Sequence, residues 1–333
     1  MSPRKENLTL DSAYFVAFEM THDALKRGLK SASELSITQY RMLVKLAAAG
    51  GKTAQADLGR ILDLKPNVVT QAANALEEAG FARRETDDAD ARSKSITATQ
   101  NGISHVASVN RSIVACLYAL FPTEDASWRA ILETSIDACS HIDPPVSERE
   151  ATDYPASRAL AALERFRIAI EARLRQACGA SFSECRVMQL LDEAQRPLRI
   201  GDIAAQLRLS TVNVARAVDR LSDRNWVRRM GASRDRKAVF VNVTDEGLEK
   251  QRVIARTIDD LGRSLLWKHL DRAERTAVRE VTRTVIEGLR LQEYEKSLTP
   301  IDELRPPITS LQPWQTNLKR KRVAKFFFTT LLL

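Results

Sequence analysis

The sequence predicts a mainly α-helical chain with small β-hairpins, built as two copies of one unit. Three observations carry this. Sliding the chain on itself so that Asp57 falls on Asp202 aligns the two halves without a gap as far as Gly102 on Gly247. Eleven pairs are then identical, among them Leu62/Leu207, Val69/Val214, Leu76/Leu221, Arg83/Arg228, Arg84/Arg229, Asp90/Asp235 and Thr99/Thr244; average composition would give roughly three. The apolar spacing changes at the same place in both halves, from the period of a helix to that of a strand. Between the halves, Asp143-Pro144-Pro145-Val146-Ser147-Glu148 reads as a break in helix.

Taken in order, each copy opens on a helix. Phe15, Phe18, Leu25 and Leu29 form an apolar stripe, matched by Leu160, Leu163, Ile170 and Leu174. A second helix starts at Ser36-Ile-Thr-Gln39 in one copy and at Ser181-Phe-Ser-Glu184 in the other, each a capping-box pattern. Short helices follow near 54–62 and 199–207, then helices near 65–79 and 210–224. Gly80 and Asn225 end the latter pair, both being residues that tolerate the left-handed conformation. Phe81-Ala82-Arg83-Arg84 and Trp226-Val227-Arg228-Arg229 then read as strands, returning at 95–98 and 240–243 after a polar loop. Two further helices close each copy, near 100–121 and 124–141, then 245–269 and 271–296. A helix-turn-helix followed by a hairpin is a winged helix. The chain thus divides into a first unit at 1–141, a linker at 142–153, a second unit at 154–296 and a basic, apolar tail at 297–333, expected to be disordered. A generic helical repeat would not explain a charged hairpin at one place in both copies.

Composition narrows the function classes. The formal net charge is +8, but half of that excess lies in the tail, at Arg305, Lys319, Arg320, Lys321, Arg322 and Lys325 against Asp302 and Glu303. Such a balance does not by itself imply a polyanionic partner. Cys116, Cys139, Cys178 and Cys185 form no C-x-x-C pair, so neither a disulfide framework nor a metal site is expected. His22, His105, His141 and His269 stand alone, with no H-E-x-x-H, G-x-S-x-G or phosphate-loop sequence near them. His22 falls within the stripe of the first helix and reads as a packing or interface residue. Neither catalysis nor a cofactor is expected. The N-terminus lacks a signal-peptide pattern, and no apolar run approaches the roughly 20 residues of a membrane span. The expected compartment is the cytoplasm, with no membrane partner.

These residues resemble the MarR family of bacterial transcriptional regulators, over about 8–141 and again over 154–296. Asp87-Asp88-Ala89-Asp90-Ala91-Arg92-Ser93-Lys94, leading to Ala98-Thr99-Gln100-Asn101-Gly102, is similar to the family's wing and the strand after it. The second copy has Arg234-Asp235-Arg236-Lys237, then Val243-Thr244-Asp245-Glu246-Gly247. Val214-Ala215-Arg216-Ala217-Val218-Asp219-Arg220-Leu221 is close to the family's recognition-helix pattern. Thr70 and Ala215 replace its usual Ser, and Gln71 replaces the Arg that Arg216 keeps.

The resemblance implies a regulator that binds double-stranded DNA. Family members are homodimers with intertwined end helices, so two units on one chain imply an intramolecular pseudo-dimer. Further oligomerisation is left open. A helix fits the major groove, where side chains reach base edges. The expected readers are Lys65, Asn67, Thr70 and Gln71 in the first unit, and Ser210, Thr211, Asn213 and Arg216 in the second. Because the sets differ, the expected operator is asymmetric, with half-sites about one helical turn apart. Wing cations at Arg92, Lys94, Arg236 and Lys237 are expected over the minor groove. The resemblance implies that Asp90 and Asp235 orient a neighbouring Arg or stabilise the turn. Arg83, Arg84, Arg228 and Arg229 are left between phosphate contacts and salt bridges. The resemblance also implies modulation by a small aromatic acid or, through a cysteine, by an oxidant. The alternative function is a ligand-sensing or protein-interaction module whose winged helices no longer read DNA.

Overall fold

The computed structural model describes residues 10–87, 90–121, 123–231 and 239–298, leaving aside the side chains of 86–94 and 289–298. Two compact units result, 1–288 and 289–333. The second holds the end of the last helix, and the tail beyond Leu298 lies outside the described residues.

Within 1–288 the elements repeat. The first half runs α1 (Ser12–Ala32), α2 (Ile37–Ala49), β1 (Thr53–Ala54), α3 (Gln55–Leu62), α4 (Pro66–Glu78), β2 (Ala82–Asp87), β3 (Asp90–Ala98), α5 (Gln100–Tyr118) and α6 (Ala126–Ala138). A short helix, α7 (Glu148–Asp153), leads into the second half. That half comprises α8 (Pro155–Cys178), α9 (Phe182–Ala194), β4 (Leu198–Arg199), α10 (Ile200–Leu207), α11 (Thr211–Asp223), β5 (Val227–Gly231), β6 (Val239–Val243), α12 (Asp245–Leu265) and α13 (Arg272–Leu298).

Local chemistry sets these boundaries. Ser36 with Gln39, and Ser181 with Glu184, complete the two capping boxes, each satisfying backbone N–H groups that a helix start leaves free. Gly80 and Asn225 take φ of 71° and 59° after α4 and α11. Each hairpin gains a third strand that the sequence did not announce. β1 pairs with β3 and β4 with β6, giving antiparallel orders β1-β3-β2 and β4-β6-β5. The registers correspond, with Thr53 opposite Ile96 and Leu198 opposite Val241.

The Thr-x-x-Gly turn after each sheet has a steric reason. Thr99 and Thr244 accept from the backbone N–H of Gly102 and Gly247, at 3.1 and 3.0 Å, and donate to the carbonyls of Gly80 and Asn225. A Cβ on Gly102 would lie 2.1 Å from the Phe81 carbonyl oxygen, and one on Gly247 1.9 Å from that of Trp226. Backbone must then move, so Gly247→Ala should cost about 2–4 kcal/mol of stability. Urea unfolding would check this, and a loss under about 0.5 kcal/mol would contradict it.

Two cores form, and each borrows from the other half. Leu10, Phe15 and Phe18 join the core built mainly from 166–270. Tyr154, Ala156, Ala159, Leu160 and Val285 join the core built mainly from 17–136. The lengthwise neighbours α1 and α8 pack on each other and on α5 and α12.

The segment 142–153 holds more structure than its prolines announce. Helix is broken over 143–147, but the linker then gains a short helix, α7, capped by Ser147, whose Oγ accepts from the Glu150 N–H at 3.3 Å. Lys45 of α2, only 2% exposed, donates to Glu150 Oε1 at 2.6 Å, Asp143 Oδ2 at 3.1 Å and the Pro144 carbonyl at 2.8 Å. Arg41 and Arg165 approach Asp143 at 3.8 and 3.5 Å. Buried charge of this kind is tolerated only when paired. It ties the bridge to the first half.

Candidate nucleic-acid interface

α4 and α11 each turn one face into a core. Val69, Ala72, Ala73 and Leu76 are buried on α4; Val214, Ala217, Val218 and Leu221 are buried on α11. The opposite face carries the expected readers. Lys65, Asn67, Thr70 and Gln71 are all exposed, as are Ser210, Thr211, Asn213 and Arg216. Both sets cluster at the helix N-terminus, the end that enters a groove in helix-turn-helix proteins.

Two of these hydroxyls already serve the helix. Thr70 donates to the Pro66 carbonyl at 3.0 Å, and Ser210 caps α11 by accepting from the Asn213 N–H at 3.1 Å. Ser210 keeps its own proton to donate. Val212, 59% exposed, stands among the expected readers of α11 as an apolar residue on a polar face. A methyl-bearing side chain there suits contact with a thymine methyl.

Behind each reading helix a strand arginine acts as a strap. Arg84 on β2 donates to Asn74 Oδ1 and, at 3.1 Å, to the Thr70 carbonyl. Arg229 on β5 pairs with Asp219 at 2.5 Å and donates to the Ala215 carbonyl at 3.4 Å. The matched positions meet matched positions. For these two the open choice falls to intramolecular bonds. Arg83 pairs with Glu85 at 2.8 Å; hydrogen bonds from Lys52 and Arg83 hold that carboxyl below its usual range. Arg228 is exposed.

A second repeated device was not foreseen. Arg41 and Arg186, both buried, donate to the carbonyls of Leu62 and Leu207 at 3.3 and 2.7 Å. These carbonyls end α3 and α10, where helices leave acceptors unpaired. Each bond fixes the turn before a reading helix, at Asp63 and Arg208, which have φ of 54° and 55°. Their identity at one offset was the available signal.

Asp90, Arg92 and Lys94 fall on β3, with side chains outside the described residues; Asp235, Arg236 and Lys237 lie outside them altogether.

The helical platform holds polar groups of its own. His22 is buried and meets Glu164 of α8 at 2.9 Å, holding that carboxyl down to about 2. The matching pair, Glu19 and Arg167, also attract one another. Burial pushes the Cys139 thiol up to about 12. A cavity of about 80 Å³ lies among Tyr14, Leu25, Leu117, Leu132, Ile136 and Val281. A larger cleft, about 460 Å³, opens between the end of α1 and the start of α2, lined by Asp23, Lys26, Arg27, Lys30, Glu34 and Ile37 among others. Among the described residues no His, Cys, Asp or Glu cluster could hold a metal ion, and no helix is long and apolar enough to cross a membrane.

The MarR family model matches residues 35–94 and again 181–239. Each match spans the capped second helix, the reading helix and the start of the wing. Several solved structures are similar. Sco3205, a MarR family transcriptional regulator from Streptomyces coelicolor solved in complex with DNA, is 22% identical at a TM-score of 0.38, over 51% of this chain and 91% of that one. AbsC, a MarR family transcriptional regulator from the same organism, is 21% identical at a TM-score of 0.36, over 51% and 97%. The transcriptional regulator BldR from Sulfolobus solfataricus is 21% identical at 0.32, over 39% and 84%. No curated protein matches the sequence.

Proposed function

We propose that this tandem MarR-like chain is a DNA-binding regulator of transcription that reads one duplex with both of its winged helices. One observation supports this most: in each half, the exposed N-terminal face of a reading helix is fixed from behind by the same arginine strap and the same buried arginine. The two units act as an intramolecular pseudo-dimer. Reciprocal packing of α1 and α8 favours that arrangement, as does the correspondence of His22–Glu164 with Arg167–Glu19. The operator is asymmetric, since Arg216 suits a guanine edge and Gln71 an adenine. Wing cations Arg92, Lys94, Arg236 and Lys237 lie along the minor groove, with Asp90 and Asp235 shaping the tips. The chain acts in the cytoplasm, where its duplex is, and performs no catalysis.

The cleft between α1 and α2 suits a small aromatic acid. Lys26, Arg27 and Lys30 offer cations to a carboxylate, and Leu29, Leu35 and Ile37 offer apolar wall. Nuclease footprinting on selected genomic fragments tests both parts of the reading. The expected result is protection of two unlike half-sites about one turn apart, weakened by added benzoate. Weak, salt-sensitive binding without a footprint would instead favour the non-reading module. Protection indifferent to benzoate would remove the ligand.

A further inference from the structure

The two small sheets share a backbone plan but carry unlike charge on their outer faces. Residues directly opposite in an antiparallel pair lie on the same face. In the second half Arg199, Phe240 and Met230 are opposite one another, and Arg228 shares their face two residues back along β5. In the first half Ala54, Ser95 and Glu85 hold the matching places, with Arg83 two residues back along β2. Arg84 and Arg229 turn to the other face, where they meet α4 and α11.

One exchange decides what each face can offer a polyanion. Glu85 draws in Arg83 at 2.8 Å and Lys52 at 2.6 Å, so the first face is closed on itself. Met230, in the place of Glu85, has no charge to give. Arg199 and Arg228 are exposed, and neither has a carboxylate in ion-pair reach among the described residues. The Arg199 guanidinium lies 5.2 Å from the centre of the Phe240 ring, which can hold it in place without neutralising it. The surrounding sequence widens the difference. Residues 51–85 hold five Lys or Arg against five Asp or Glu, a net charge of zero. The matching 196–230 hold eight Arg against three Asp, a net of +5.

Resting on the reading of one duplex by both winged helices, we propose that they share it unequally. The second grips phosphates beside its half-site with Arg199 and Arg228. The first, whose matching cations are held by its own carboxylates, adds base reading with little grip. A phosphate contact releases counterions whatever the bases are, whereas base edges alone carry the sequence. The second half therefore captures duplex of any sequence, and the first helps to decide where the chain stays.

The test measures binding of the full chain to a selected genomic fragment and to a random duplex of equal length, over a series of salt concentrations. Arg199→Ala and Arg228→Ala should each flatten the plot of log affinity against log salt by about one, on both duplexes. Arg83→Ala, at the position matching Arg228, should leave the slope as it is. Exchanging the neighbours separates charge from packing: Met230→Glu should flatten the slope by about one, and Glu85→Met should steepen it by about one. Equal slopes for Arg83→Ala and Arg228→Ala, or no response to Met230→Glu and Glu85→Met, would overturn the unequal grip. If the random duplex binds as tightly as every genomic fragment, the functional reading fails instead, and the slopes still decide the grip. A chain that binds neither duplex overturns both.

Discussion

Replacing Lys45 with methionine is expected to lower the folding stability by about 3–5 kcal/mol, the usual effect of removing one partner from a buried ion pair. Lys45 Nζ is the cation nearest Glu150, which is fully buried, and it also meets Asp143. Without it, Glu150 keeps the Val146 N–H at 2.7 Å but no cation beside it, and a buried carboxylate so placed must protonate or draw in water. Side-chain volume is not the issue, since Leu190 occupies the matching position in the second half. Lys45→Met combined with Glu150→Gln should therefore recover much of the loss, because the amide needs no counter-charge. Urea unfolding of both variants decides the matter. A single variant within about 1 kcal/mol of wild type would show that the cluster is not holding the bridge.

Arg216→Ala should weaken binding by about 1–3 kcal/mol, or roughly 5- to 150-fold, if its guanidinium reads a base edge. The loss should centre on one half-site and relax base preference there. Gln71→Ala should do the same over the other half-site. Arg229→Ala tests a different idea. Its guanidinium is engaged with Asp219 and the Ala215 carbonyl, so its removal should loosen α11 and weaken all sequences alike. Selection of binding sites from a random library by each variant separates these outcomes. Unchanged preference at every position in Arg216→Ala would strike that residue from the readers.

Features governed by neighbours along the chain were legible in the sequence. Ser36 and Ser181 announced their helices because a cap needs only a hydroxyl and a residue three positions on. Gly80 and Asn225 announced the left-handed turn for the same local reason. The exposed faces of α4 and α11 followed from apolar spacing. What depended on distant partners stayed hidden. β1 and β4 are two residues long and are strands only because β3 and β6 lie beside them. Lys45 reads as a solvated charge until Asp143 and Glu150, about a hundred residues on, close over it. Two prolines masked α7, although Ser147 followed by Glu150 is itself a capping pattern. The likeness between halves did more than periodicity could. It turned Arg84 and Arg229 from two surface charges into one repeated device.

The most direct test of a single chain presenting both reading helices is the mass of the DNA complex, measured by sedimentation on a duplex holding both half-sites. One chain per duplex, with both halves protected, is the expected result. Two chains per duplex, each protecting a half-site through the same unit, would contradict the account.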